Sequence, residues 1–143
     1  MFNRILVALT EHELESCKDS PILTALQSLS LSAQSEIILG HVIPVNAQEL
    51  ERGLDQHHET RQLILEKIAQ TQTDIRQSLP IASEIEVVSG EPSDEIVRLA
   101  NIHQADLIVL GSRGLKGVSR VLERSVSSQV SEDASCSVLV VKA

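Results

Sequence analysis

The sequence predicts an α/β fold, a single doubly wound domain with a five-stranded parallel sheet and helices on both faces. Short apolar runs alternate along the chain with longer segments of helical periodicity. The runs carry few polar residues, so the strands are expected to be buried on both faces. This alternation predicts β-α-β units, in which helices join parallel strands. A length of 143 residues suits one domain spanning 1–143.

Two strands and a helix are predicted in the first part of the chain. The apolar runs Arg4–Leu9 and Ile37–Val42 predict the first and second strands. Between them, Asp19 or Ser20 followed by Pro21 is typical of a helix N-terminus, because proline is tolerated in the first turn. Apolar residues then recur at helical spacing and give this helix a buried side: Ile22, Leu23, Leu26 and Leu29.

The middle of the chain predicts a long helix, a third strand and a shorter helix. The polar segment from Ala47 to Gln77 is predicted as the long helix, and Pro80 closes it. Glu84–Val88 predicts the third strand, and Ser93 is expected to cap the helix that follows. The buried side of that helix is formed by apolar residues at helical spacing: Ile96, Val97, Leu99, Ala100 and Ile102.

The last part of the chain repeats the pattern. Asp106–Leu110 predicts the fourth strand, a glycine turn and a helix to about Glu132 follow, and Ser137–Val141 predicts the fifth strand. In doubly wound sheets, ligands bind beyond the carboxyl ends of the strands, where the strand order reverses. The loops after the first, second and fourth strands are therefore expected to open at one edge of the sheet.

The segment after the fourth strand has the chemistry of an anion site. Gly111 and Gly114 carry the chain from strand into helix, which leaves backbone N–H groups and the positive end of the helix dipole at the turn. The chain has 12 Lys and Arg and a net charge of −8, yet four cations fall in this segment: Arg113, Lys116, Arg120 and Arg124. A phosphate is therefore the predicted ligand. The alternative is an ordinary glycine loop followed by a solvated basic face.

Composition argues against several classes of function. With no Trp or Tyr and one Phe, the chain has no aromatic platform for stacked bases, and its charge of −8 disfavours nucleic acid. The apolar runs are too short for a membrane span, and the start MFNRILVAL lacks a signal-peptide cleavage pattern, so a cytoplasmic location is expected. Cys17 and Cys136 have no metal-binding or redox spacing. His41 lies inside an apolar strand and is expected to be a core histidine.

Five segments resemble the universal stress protein family in their order and spacing. They span essentially the whole chain: RILVAL, GHVIPV, VVSGEPSDEIVRLA, ADLIVLGSRGLKG and ERSVSSQVSEDASCSVLVVK. The resemblance implies an adenine nucleotide alpha hydrolase-like architecture and a role as a cytosolic stress-response module. It also implies a homodimer paired through the last strand, Ser137–Lys142. That strand is an apolar edge, which pairing would protect from aggregation.

The resemblance further implies an ATP site built on a Gly-x-x-Gly turn that is followed, nine residues later, by Gly-Ser or Gly-Thr. Gly111, Gly114 and Ser125 match this pattern, whereas Arg124 stands in place of the last glycine. The full set of nucleotide-binding residues that the resemblance implies is Ala8, Thr10, Val42, Gly111, Arg113, Gly114, Arg124, Ser125 and Val126.

Two departures from the family pattern keep two hypotheses open. Thr10 stands where binding members carry an aspartate, so it cannot supply a carboxylate acceptor. Arg124 either obstructs the close approach that glycine permits or reaches the phosphates as a bidentate cation. The first hypothesis is that ATP or AMP, with Mg²⁺ accompanying ATP, binds in a modified site. The second is a dimeric scaffold or signalling partner that binds no nucleotide.

No catalytic residue is predicted, and the chain is expected not to be an enzyme. Slow ATP hydrolysis would require Mg²⁺ and a positioned water, and the last helix offers no convincing general base. Glu11 and His12 follow the first strand, where they are expected to be solvated loop residues.

Overall fold

A five-stranded parallel sheet forms the centre of the molecule. The structure is a computed structural model that describes residues 2–15, 20–44, 55–111 and 118–142, with side chains described except at 11–12, 55–60 and 118–125. The elements in chain order are β1 (Arg4–Ala8), α1 (Glu11–Glu15), α2 (Pro21–Ser28), β2 (Glu36–Pro44), α3 (Asp55–Ser78), β3 (Ala82–Gly90), α4 (Pro92–Ile102), β4 (Leu107–Gly111), α5 (Val118–Asp133) and β5 (Ser137–Val141).

The strand order is β3-β2-β1-β4-β5, and all neighbouring strands are parallel. This confirms the predicted fold class. β2 and β3 lie on one side of β1, and β4 and β5, which come later in the chain, lie on the other side. Ala8, the last residue of β1, pairs in register with Gly40 of β2 and Leu110 of β4. The strand order therefore reverses between β1 and β4, and their carboxyl ends flank a crevice.

Each face of the sheet is covered by its own hydrophobic core. On one face, Ile5 and Val7 of β1 pack with residues of α2 and α3, including Leu26 and Ile68. On the other face, Leu6 of β1 packs with residues of α4 and α5; these include Leu99, Ala100 and Val130. Burial on both faces explains why the strands are apolar at successive positions instead of alternating with polar residues.

The helix caps follow the sequence predictions with one correction. The Ile22 N–H donates to the Ser20 hydroxyl at 3.1 Å, and Pro21 occupies the first turn, as predicted for α2. The prediction that Ser93 caps α4 is wrong, because the cap is Glu91. Proline favours the first helical position, so Pro92 places the cap on the residue before it.

One helix was not predicted, and the predicted start of another helix is not tested. Glu11–Glu15 forms a short helix where a loop was expected, and Leu14 of this helix is buried in the core beside α3. A helix of five residues is not stable alone, so the burial of this apolar residue stabilises it. The long helix spans Asp55–Ser78, while its predicted start at Ala47 lies outside the described residues. No helix within the described ranges is long and apolar enough to cross a membrane.

Ile108→Ala tests the burial of β4 in the core. Ile108 is completely buried, so the substitution is expected to lower the free energy of unfolding by about 2–5 kcal/mol. Ile102 is 58% exposed, so the prediction that it lies on the buried side of α4 is wrong. Ile102→Ala is therefore the matched control, and the same change there is expected to cost under about 0.5 kcal/mol. Urea denaturation measures both. Equal losses in the two variants would contradict this packing.

The Glu91 cap predicts a pH-dependent contribution to stability. Burial raises the pKa of Glu91, but hydrogen bonds from the backbone N–H and hydroxyl of Ser93 and from the Asp94 N–H together hold this pKa below its ordinary value of 4.5. A carboxyl whose pKa is lowered by folding stabilises the native state above its unfolded pKa, and this contribution is lost as the pH falls through the folded pKa.

We therefore expect Glu91→Gln to lower Tm at pH 7 and to have a smaller effect at pH 3. Thermal unfolding of both proteins at the two pH values measures the difference. The same comparison for Glu66→Gln, an exposed glutamate on α3, corrects for the loss of one negative charge. A Tm difference for Glu91→Gln that is the same at both pH values would refute the assigned cap.

Candidate functional site

The carboxyl edge of the sheet brings together four of the predicted site residues. Ala8 ends β1, Thr10 lies two residues further on, and Gly111 ends the neighbouring strand β4. Val42 lies on β2, two positions beyond the Gly40 that pairs with Ala8. These four residues therefore lie at the carboxyl edge of the sheet, and doubly wound sheets bind ligands at this edge, where the strand order reverses.

The other predicted site residues belong to the segment between β4 and β5. The side chain of Val126, on α5, packs against the core on the α4 and α5 face of the sheet. Arg113 and Gly114 lie outside the described residues, and so does Lys116. Arg124 and Ser125 fall within α5, as Arg120 does, but the side chains of all three lie outside the described part. The predicted basic face therefore stays a prediction.

Leu9, the residue after β1, is held against β2. Its N–H donates to the carbonyl of Gly40 at 2.8 Å, and its own carbonyl lies 2.6 Å from Nδ1 of His41. Because a carbonyl oxygen only accepts, Nδ1 must carry the proton in this contact. His41 is 4% exposed. This placement confirms the prediction of a hydrogen-bonded core histidine.

Thr10 starts α1 and forms half of a capping box with Glu13. The Thr10 N–H donates to Glu13 Oε2 at 2.7 Å, and the Thr10 carbonyl accepts from the Leu14 N–H at 3.1 Å. In a complete capping box the threonine hydroxyl would also accept a backbone N–H of the first turn. Here the Thr10 Oγ1 is buried and has no hydrogen-bond partner within the described part of the chain.

Glu13 is a buried residue of the site that the sequence predictions missed. It is only 5% exposed, although a glutamate is rarely buried without a specific reason. The sequence does carry an indication of this role. The Thr-x-x-Glu spacing from Thr10 to Glu13 is the sequence pattern of a capping box. The carboxyl edge near β1 thus holds a buried carboxylate and a buried hydroxyl.

The described side chains offer neither a metal cluster nor an activated thiol. No group of three or more His, Cys, Asp and Glu in the described ranges is arranged to hold a metal ion. Burial raises the pKa of the Cys136 thiol, which keeps it protonated and weakly nucleophilic. Among the described side chains at the carboxyl edge, Thr10 and Glu13 supply groups for hydrogen bonding and charge recognition.

A cavity lies at the amino edge of the sheet. It measures about 140 Å³ and is lined by residues at the starts of β1, β2 and β3, together with His103. Polar groups at or near this cavity interact with one another: His103 Nε2 is 3.1 Å from Glu86 Oε1, and Arg4 Nε is 3.6 Å from Glu36 Oε2. Since sheets of this type bind ligands at the carboxyl edge, the crevice between β1 and β4 is the candidate site.

Two solved structures share this architecture. The hypothetical protein MJ0577 aligns with a TM-score of 0.73 and 26% identity, covering 100% of this chain and 97% of that one. A universal stress protein family protein from Arabidopsis thaliana, solved with AMP bound, aligns with a TM-score of 0.62 and 19% identity, covering 98% and 91% of the two chains.

Sequence comparison agrees with the architecture. The universal stress protein Sll1388 from Synechocystis sp. is 34% identical over 155 residues, covering 99% of this chain and 98% of that protein. The family model described as the universal stress protein family matches residues 1–142. The match over nearly every residue and the relative that is 34% identical, in agreement with the five parallel strands, show that the chain belongs to the universal stress protein family.

Proposed function

We propose that this protein binds an adenine nucleotide, AMP or ATP, in the crevice at the carboxyl ends of β1 and β4. The observation that carries the proposal is that β4 ends at Gly111 beside β1 and is followed by the helix α5, in a strand-to-helix arrangement that favours phosphate. The solved Arabidopsis relative, which shares this architecture, has AMP bound.

The phosphates are proposed to lie on the β4 side of the crevice. That side contains the segment with Arg113, Lys116, Arg120 and Arg124 in the sequence, whereas the β1 side holds the buried carboxyl of Glu13. The proposed site comprises Ala8, Thr10, Val42, Gly111, Arg113, Gly114, Arg124, Ser125 and Val126, with Mg²⁺ accompanying ATP. Binding without turnover and a cytoplasmic location are further parts of this proposal.

The proposal also includes a homodimer paired through the last strand, Ser137–Lys142. β5 is one edge of the sheet, and its half-buried residues Val138–Val141 carry no charge. The opposite edge strand, β3, carries Glu84 and Glu86, which disfavour pairing between copies of that edge. The uncharged edge is therefore the better surface for a second copy. The alternative function is a dimeric scaffold that binds no nucleotide. The uncharged edge strand would be sufficient for that function.

Nucleotide binding is tested by calorimetric titration of AMP and ATP, the latter with Mg²⁺, into the purified protein. We expect saturable heat for both nucleotides, because the strand-to-helix turn and its cations attract phosphate. A mass spectrum of the native protein adds a check for nucleotide that co-purifies. No heat and no thermal shift at millimolar nucleotide would leave the scaffold as the better hypothesis.

Arg124→Ala tests the role of the arginine that stands at the position of a family glycine. We expect ATP affinity to fall about tenfold, as for the loss of one charge-assisted hydrogen bond. Arg98→Ala is the control, because Arg98 on α4 pairs with Glu95 at 2.7 Å and is not part of the proposed site. Tighter ATP binding by Arg124→Ala would show instead that this side chain obstructs the site.

Val140→Lys tests the proposed dimer edge. We expect it to convert a dimer into monomers, because a charge on β5 opposes pairing with a second copy. Val88→Lys is the matched control, since Val88 is also half-buried on an edge strand and packs against the same core. Sedimentation measures the oligomeric state, and circular dichroism checks that both variants fold. A monomeric unmodified protein would refute the dimer.

A further inference from the structure

The cavity of about 140 Å³ at the amino edge of the sheet lies opposite to the edge at which the nucleotide is proposed to bind. Arg4 of β1, Glu36 of β2 and Ala82 of β3 lie in register, and all three line the cavity. Arg4 precedes Leu6 by two positions, and Leu6 packs beneath α4, so this row of side chains lies on the α4 face of the sheet. Because alanine carries only a methyl group, the row leaves space beside Ala82.

His103, the residue that caps the C-terminus of α4, also lines this cavity. Its Nε2 lies 3.1 Å from Glu86 Oε1. A carboxylate only accepts hydrogen bonds, so Nε2 carries the proton, and in the neutral ring Nδ1 is then an acceptor. Nδ1 lies 4.0 Å from Glu84 Oε2, which is beyond hydrogen-bond distance. Among the described residues, no donor reaches Nδ1.

The position of His103 is fixed at two points. Its ring is bonded to Glu86, and its backbone carbonyl accepts from Arg4 Nη1 at 2.9 Å. The side chain of His103 is only 15% exposed, whereas that of Glu84 is 65% exposed and can adjust its position. A ligand that bonds Nδ1 therefore meets an acceptor that is already oriented, which lowers the entropy lost on binding.

Nδ1 of His103 and Oε2 of Glu84 form a pair of acceptors beside the cavity. At a separation of 4.0 Å, one nitrogen atom can bond both, because hydrogen bonds of about 2.9 Å from the two acceptors meet at one point. That nitrogen must carry at least two N–H groups. The charges also suit a cation, because Arg4 lies 3.6 Å from Glu36 and offsets its charge, while Glu84 faces a neutral ring.

We propose that this cavity binds a small primary alkylammonium ion. The ammonium N–H groups donate to His103 Nδ1 and Glu84 Oε2. The apolar chain lies against Ile38 and Ala82, which also line the cavity. A carboxylate or a phosphate is repelled by Glu36 and Glu84. A neutral alcohol has one donor, so it cannot bond both acceptors at once.

The size of the cavity limits the chain of the amine. Its volume of about 140 Å³ is well above the roughly 10–15 Å³ that a single water needs. It is also well below the roughly 300–1,000 Å³ of pockets that hold drug-sized ligands. A short chain of a few carbon atoms is therefore expected.

Binding of n-butylammonium, followed by NMR on the full chain, tests the proposal. The titration is done at about pH 8, where an ordinary histidine is neutral and an alkylamine is charged. We expect the amide signals of Ser83, Glu84 and His103 to shift saturably with a Kd of about 1 mM, as suits so small a ligand. Tetramethylammonium, which has no N–H, and 1-butanol, which has no charge, are the control ligands, and each is expected to bind at least about tenfold more weakly.

Glu84→Gln tests the proposed acceptor. We expect n-butylammonium to bind about fivefold to tenfold more weakly, because a charge-assisted hydrogen bond at a solvent-exposed position is lost. Glu66→Gln, an exposed glutamate on α3, is the matched control for the loss of one negative charge, and its affinity is expected to stay within about twofold of the unmodified protein. Circular dichroism checks that both variants fold.

Ala82→Leu provides a second test that leaves every charged group in place. Leucine would fill the space beside Glu36, so we expect this variant to show no saturable binding of n-butylammonium. Ala69→Leu, at an exposed position of α3, is the matched control and is expected to bind as the unmodified protein does.

Several results would overturn the inference. One is the absence of saturable shifts with n-butylammonium, and another is equal binding of the control ligands. Unchanged affinity in Glu84→Gln or in Ala82→Leu would place the amine elsewhere. Ring ¹⁵N signals of His103 that show protons on both nitrogens would mean that an imidazolium pairs with Glu84 and leaves no acceptor. None of these measurements uses a nucleotide, so they do not depend on the function proposed above.

Discussion

β1 lies in the middle of the sheet, and its pairing and burial position the strands and helices on both sides of it. β1 pairs with β2 on one side and with β4 on the other, so its backbone is hydrogen-bonded along both edges. Its residues Ile5, Leu6 and Val7 are completely buried and divide between the two cores. A polar residue at any of these positions would be buried without a partner on one face or the other. The same pairing places the reversal of strand order, and hence the crevice, at the end of this strand.

β1 ends between two neighbouring strands. The backbone N–H and C=O groups of the residues that follow it therefore need hydrogen-bond partners within the fold. Leu9 has its partners in β2, and Thr10 has them in Glu13 and the first turn of α1. With these backbone groups already paired, recognition on this side of the crevice is left to side chains.

Helix and strand bounds that follow from the local sequence pattern could be predicted. Elements and buried residues that depend on tertiary contacts could not. The bounds of β5, Ser137–Val141, agree with its apolar run, and α2 starts where Ser20 and Pro21 indicate. α1 was missed because five residues carry too little periodicity to reveal a helix, and its stability comes from the burial of Leu14. Glu13 belongs to the same short helix, and a carboxylate that looks exposed in the sequence is buried beside Thr10.

The net charge of the protein and the charges beside the crevice would act differently on an anionic ligand. The net charge of −8 repels a nucleotide at long range, but at physiological salt this repulsion is screened beyond about 8 Å. Within that distance, the nearest groups decide how the ligand lies. The carboxylate of Glu13 is buried on the β1 side, and the cations of the sequence follow β4. The proposed nucleotide has a neutral end and an anionic end, and in the proposed site these two sides would therefore orient it in one direction. An inorganic phosphate has no neutral end, so it would lack a partner on the β1 side.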